Sequence, residues 1–264
     1  MEEISINSWT EIIEWFETNV TPKQDVTSSS IQFRGQADAS WKLVPSLTRL
    51  ILNDEDSILK ASGYESHTKN DFVEQVHLLD SKMIYDLQND PHSMLFDMQH
   101  YSCPTRLLDW SRSPYVALYF AVSELLSSDG ALYVWDWRVY NFNHKLFYSI
   151  LPPKNGDDVF SFTDHNIIEI LFSTKPNERA ARQQGSFSIS NNIIKSHDDI
   201  ITELSKNVKR SSGLYKLTIS SELKLDFLER LKTMNITPLS LFPGLDGLGR
   251  SIKELLLIRQ HRKA

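Results

Sequence analysis

The chain has 264 residues, of which 41% are apolar and 23% charged, and a formal net charge of −6; this fits one large or two small folded domains and excludes a disordered chain. The acidic balance argues against broad adhesion to nucleic acid or anionic membranes, and the single cysteine, Cys103, excludes an internal disulfide and fits a reducing compartment. No apolar run approaches the roughly 18 residues of a membrane span, and Met1-Glu2-Glu3-Ile4 lacks an apolar signal core, so the sequence reads as cytoplasmic with no membrane partner.

In chain order, Ser8-Trp9-Thr10-Glu11 matches a capping box, and Ile12, Ile13 and Phe16 supply a helical stripe, predicting a helix over about 8–18. Residues 21–30 read as a loop. Ile31-Gln32-Phe33-Arg34 alternates like a half-buried strand, with Arg34 on the face opposite Phe33. Residues 51–69 are polar and read as irregular or a short helix. Phe72, Val73, Val76, Leu79, Met83, Ile84 and Leu87 predict a long amphipathic helix. Asp90-Pro91 is a start signal for another, carrying Met94, Leu95 and Met98. His100 to Pro104 reads as a turn, followed by a short apolar piece through Leu108.

Ser113-Pro114 combines a capping hydroxyl with a proline at the first helical position. The following residues 115–122 are apolar all round, which implies a helix buried on most sides. Ala131 to Trp135 reads as a strand after an Asp129-Gly130 turn. Ile167 to Phe172, Phe187 to Ile189 and Leu214 to Ile219 are further strand candidates. Leu223 to Met234 reads as a helix, Gly244 to Gly247 as a tight turn, and Gly249 to Ile258 as a terminal helix. No linker divides the chain, so the pattern predicts one α+β domain with added helices.

Two blocks stand out chemically. In Phe33-Arg34-Gly35-Gln36 an arginine sits beside a glycine at a strand end, a setting that suits a phosphate or carboxylate better than a core. Thr105-Arg106-Leu107-Leu108-Asp109-Trp110-Ser111 has the same character. Arg106 and Asp109 read equally as an ion pair fixing the loop or as catalytic charges. Trp110 reads as core, and His100 as a buried, satisfied histidine. His100 and Cys103 are close in sequence, but no second Cys/His pair follows, so no zinc site is expected. The basic clusters at Lys206, Lys209, Arg210 and at Arg259, Arg262, Lys263 read as solvated surface.

Phe33-Arg34-Gly35-Gln36 with Trp41, Pro45 and Arg49 resembles the opening motif of the FRG domain family. Gln99-His100-Tyr101, then Pro104 to Ser111, Ser113-Pro114 and Ala117 to Ala121 resemble its central motif. Arg179 with Gln183, Gly185 and Phe187 resembles a third block, and Leu239 with Leu241 to Gly247 a fourth. The resemblance spans nearly the whole chain and implies a single FRG domain over 1–264, with its core over about 31–264. Some members of that family are linked to phage defence or mobile elements.

The FRG blocks are in turn similar, more weakly, to ADP-ribosyltransferases, which implies a split β-sheet core and NAD as co-substrate. The implied catalytic residues are Arg34, Asp109 and Gln183. The implied binding residues are Gly35, Gln36, His100, Thr105, Arg106, Trp110, Ser111, Tyr115 and Gly185, with Trp110 or Tyr115 stacking on a ring. The implied partners are a macromolecular acceptor, protein or nucleic acid, and a neutralising or sensor protein, in the setting of a toxin or antiviral effector. No metal is expected. The third block departs from the transferases: it reads Gln183-Gln184-Gly185-Ser186, with no glutamate. Asp109, or less directly Glu178, would then supply the charge. Two other readings stay open: a non-catalytic module recognising a nucleotide, nucleic acid or phage protein, and a metal-independent phosphodiester hydrolase using Asp109, His100 and Arg34.

Overall fold

A computed structural model describes residues 1–23, 30–52, 57–80, 85, 92–150, 166–173 and 177–261. Its strands are β1 (Glu2–Ile6), β2 (Ile31–Gln36), β3 (Leu107–Ser111), β4 (Gly130–Asp136), β5 (Ile168–Leu171), β6 (Gly185–Ser190) and β7 (Leu214–Ile219). They form one sheet in the order β1-β7-β4-β2-β3-β6-β5. β1 runs parallel to β7 and the other neighbours are antiparallel. The helices are α1 (Trp9–Asn19), α2 (Ser46–Ile51), α3 (Ser57–Leu79), α4 (Ser93–His100), α5 (Pro114–Val122), α6 (Trp137–Ile150), α7 (Glu178–Arg182), α8 (His197–Val208), α9 (Lys224–Thr233), α10 (Pro238–Leu241) and α11 (Gly244–His261). The mixed architecture agrees with the α+β expectation.

Strand alternation sorts the helices onto two faces. Phe33, Leu132, Val134, Leu217 and Ile219 point to one face, where they meet α1, α5 and α9 through Ile12, Phe16, Leu118, Phe227 and Leu231. Leu107, Phe187 and Ile189 share that face further along the sheet and meet Met94, Leu95 and Met98 of α4. Leu108, Trp110, Tyr133 and Trp135 point to the opposite face, under Tyr140 of α6 and Ile200, Ile201 and Leu204 of α8.

Two local signals fix the first face. Ser8 caps α1 by accepting from Glu11 N at 3.1 Å, while the Glu11 carboxylate accepts from Asn7 N at 2.8 Å, one residue before the partner a capping box uses. Ser113 caps α5 by accepting from Val116 N, and Pro114 opens that helix. Six of the nine α5 residues are buried. The helix lies so close on β2 that a Cβ on Gly35 would run into the Ala117 carbonyl. The φ of Gly35 is not positive, so the glycine is required by this approach and not by a turn.

Several expectations change. The stretch 51–69 is helical from Ser57, because α3 begins there and runs to Leu79. Met83, Ile84 and Leu87 of the long helix predicted from Phe72 lie outside the described residues, as do Asp90 and Pro91; the residue before α4 is His92, which makes no side-chain cap. Of the predicted loop 21–30, residues 21–23 form a 3₁₀ turn and 24–29 lie outside the description. The supposed tight turn Gly244 to Gly247 is the first turn of α11, which starts five residues before the expected Gly249.

Candidate functional site

On the face that carries both α4 and α5, the two helices leave a gap above β2, β3 and β6. A cavity of about 320 Å³ occupies it, with α7 closing one side. The sheet beneath is weakest there: β2 and β3 share a single registered pair, Phe33 with Ser111, whereas β2 pairs with β4 over six residues.

Arg34 lies opposite Tyr133 in the ladder, on the face away from Phe33, as the alternation predicts. Its guanidinium enters the opening between β2 and β3. Nη1 donates to the Asp109 carbonyl at 2.7 Å and lies 3.8 Å from the Asp109 carboxylate. Nε is buried without a hydrogen-bond partner. Burial pushes the Arg34 pKa down and neighbouring Asp109 opposes that shift.

Asp109 sits on the other side of β3, in register with Phe187, and 56% of its side chain is exposed. Gln99 Nε2 donates to its Oδ2 at 2.8 Å. Thr105 fixes that amide from behind, because its hydroxyl donates to Gln99 Oε1 and so turns the NH₂ toward Asp109. Arg34, Asp109 and Gln183 all line the cavity, as do Gly35, His100, Trp110, Ser111 and Gly185.

Lining the cavity does not leave each group available. Gln183 donates Nε2 to the Leu241 carbonyl at 3.3 Å, and its own carbonyl accepts from Ser111 Oγ at 2.8 Å. These two side chains tie α7 to β3 and to the C-terminal block. Trp110 is 3% exposed, with its indole N–H donating to Ser188 Oγ at 2.7 Å, so it is core and offers no stacking face.

Four expected site residues fall outside the cavity lining. Tyr115 packs edge-on against Phe16 of α1. Gln36 and Thr105 are buried; Gln36 donates to the Lys42 carbonyl at 3.3 Å. Arg106 is 2% exposed and pairs with Glu65 of α3 at 3.0 Å, which overturns the Arg106–Asp109 pair: Asp109 belongs with Arg34. Glu178 faces Arg182 at 2.7 Å.

The structure adds groups that the sequence did not single out as site residues. Phe96 and Phe187 stack at 4.8 Å and supply the aromatic wall. Arg179 brings a second guanidinium, held 5.0 Å over the Phe242 ring. Asp97 and His100, three residues apart on α4, both face the cavity. Burial raises the Asp97 pKa, against the Tyr85 hydroxyl that donates to it at 3.1 Å. Burial, then Arg179, lowers that of His100. The signal for Phe96, Asp97 and Gln99 was the α4 period itself, whose outward residues adjoin the second motif block. Among the described residues, no three His, Cys, Asp or Glu side chains form a metal site, and no helix is long and apolar enough to cross a membrane.

The arrangement offers two cations, an exposed carboxylate between them in the chain order of the walls, and apolar rings, in a partly open recess. It suits a ligand with anionic and flat apolar parts. No curated protein and no solved structure matches the chain. Residues 29–130, which hold both motif blocks and the α5 helix seated on Gly35, match the family model described as the FRG domain, and the chain carries an FRG domain over that stretch.

Proposed function

We propose that the cavity binds NAD or a related adenine nucleotide and serves ADP-ribosyl transfer to a macromolecule, as a toxin or defence effector would. The observation that carries this reading is the placement of Arg34 beside Asp109 at the opening between β2 and β3. The Arg34 guanidinium lies in the cavity wall, where a planar cation suits phosphate or ribose oxygens. Arg179 adds a second cation on the α7 wall, and the Phe96–Phe187 pair gives a ring an apolar surface. At about 320 Å³ the recess is at the small end of ligand sites, which run from roughly 300 to 1,000 Å³, so it takes one half of a dinucleotide and leaves the rest along the mouth.

When bound, NAD supplies a ribosyl carbon that becomes cationic as nicotinamide leaves with the bonding electron pair. Asp109, held by Gln99 and Arg34, is the carboxylate that stabilises that charge and accepts the proton of the incoming acceptor. Gln183 stabilises the wall through Leu241 and takes no proton. The FRG unit on this reading extends past the matched residues, because Arg179, Gln183 and Phe187 complete the cavity from beyond residue 130.

The test is direct. Purified protein binds NAD by calorimetry and transfers labelled ADP-ribose to lysate macromolecules, and Arg34→Ala abolishes the label. A second reading, binding without turnover, is favoured by one observation: Asp109 already engages two partners and the third block has no carboxylate on the cavity wall. Saturable NAD binding with no nicotinamide release at any enzyme concentration selects that reading. A folded protein that ignores every adenine nucleotide removes both.

A further inference from the structure

We propose that α11 pairs with α11 of a second copy of this chain, antiparallel, across an apolar stripe. Leu245, Leu248, Ile252 and Leu256 are 84%, 44%, 60% and 56% exposed. Their spacings of three, four and four residues place them on one side of the helix. The opposite side, with Gly247, Glu254 and Ile258, is buried against the protein. Gly249 lies within the exposed stripe, and a Cβ there would meet nothing within 4 Å, so a second helix can approach closely at that point. A row of leucines and isoleucine facing water over three turns is unusual for a monomer.

The charges beside the stripe select the occupant. Asp246 and Lys253 are both exposed and seven residues apart, two turns along the same flank. The midpoint between them falls between Gly249 and Arg250, at the centre of the stripe. A two-fold axis through that midpoint runs the two helices antiparallel and keeps like flanks together, so Asp246 of each copy meets Lys253 of the other. Asp246 is already met by Arg250 at 3.1 Å, whereas Lys253 has no carboxylate partner among the described residues. Self-pairing supplies one twice. In a parallel pair the flank that carries Asp246 and Lys253 would face the other flank of the partner, and this charge pairing would be absent. The contact is a short one compared with the roughly 800 Å² per partner of a standard interface, so the dimer is weak and concentration-dependent.

Sedimentation velocity on the intact chain over a concentration series tests this. The expected result is a reversible monomer–dimer equilibrium that Ile252→Glu shifts to monomer while circular dichroism stays unchanged; Leu245→Glu, at the most exposed position, repeats the test if Ile252→Glu does not fold. Lys253→Asp weakens the dimer at least tenfold, and Asp246→Lys with Lys253→Asp restores it. A monomer at every concentration overturns the proposal and leaves the stripe to a different protein. A dimer indifferent to Ile252→Glu and Leu245→Glu overturns it too, as does a double charge reversal that fails to recover what the single one lost.

Discussion

Arg34 and Arg106 stand in the two motif blocks, both sunk into the sheet and both bound to a main-chain carbonyl. Arg106 has a full set of partners: Glu65 at 3.0 Å, itself joined by Lys69 at 3.2 Å, and the Ser190 carbonyl at 3.1 Å. It fastens α3 to the sheet. Arg34 has a carboxylate at 3.8 Å, a bare Nε and a cavity in front of it. The difference teaches that a charge in a conspicuous motif marks a site only when its hydrogen-bonding capacity exceeds what the fold consumes. The glycine next to Arg34 belongs with Arg106 in this respect, since α5 occupies the space its side chain would need.

The comparison breaks first at the buried pair. Arg106→Ala leaves Glu65 in a dry site with only Lys69 beside it, and is expected to cost about 3–5 kcal/mol in urea unfolding. Gly35→Ala forces α5 off β2 and is expected to cost about 1–3 kcal/mol or more, with loss of near-UV ellipticity as the aromatic face repacks. If either variant unfolds like the wild type, the division between fold and site is wrong.

A third measurement tests how dry the surroundings of Arg34 are. Ser188 Oγ accepts from the Trp110 indole and shares a 2.9 Å hydrogen bond with His197 Nδ1, and His197 Nε2 is buried without a hydrogen-bond partner. Burial, reinforced by Arg34, pushes the His197 pKa from 6.5 down to about 3. A base with a depressed folded pKa takes up its proton more readily when unfolded. Its contribution to stability is complete above about pH 6.5 and is lost progressively as pH falls toward about 3. Unfolding at pH 5 is expected to require about 2 kcal/mol less than at pH 7 from this residue, and His197→Phe should flatten that slope. The smallest effect on the fold is at Arg34 itself. Arg34→Ala is expected to cost about 1–2 kcal/mol of stability, through the hydrogen bond to Asp109, while weakening nucleotide binding more than tenfold by calorimetry. Arg106→Lys, by contrast, should lower stability with little change in affinity where it folds.

Much of the central sheet was legible because its signals are local. β2, β4 and β7 announce themselves by alternation or an apolar run, and α5 by Ser113-Pro114. The cavity was legible only in part: alternation puts Arg34 on the face opposite Phe33, but the turn of its guanidinium through the β2–β3 opening toward Asp109 depends on a contact across 75 residues that no local signal carries. What escaped depends on partners distant in sequence. Nothing near Arg106 reveals Glu65, 41 residues earlier, and nothing near Gln183 reveals Leu241. α8 carried a readable start, Ser196 accepting from Asp199 N, followed by Ile200, Ile201 and Leu204 at helical spacing. β1 was masked by its two glutamates, although Ile4 and Ile6 alternate inward beside them.

β1 also sets the order of events during synthesis. Residues 2–6 align with residues 215–219, so β1 has no sheet edge to join until β7, roughly 200 residues later, has been made. Until then Ile4 and Ile6 travel uncovered. The β2–β4 pairing, over six residues, can form before β1 docks, and a short peptide copying residues 2–6 would compete for the β7 edge in that interval.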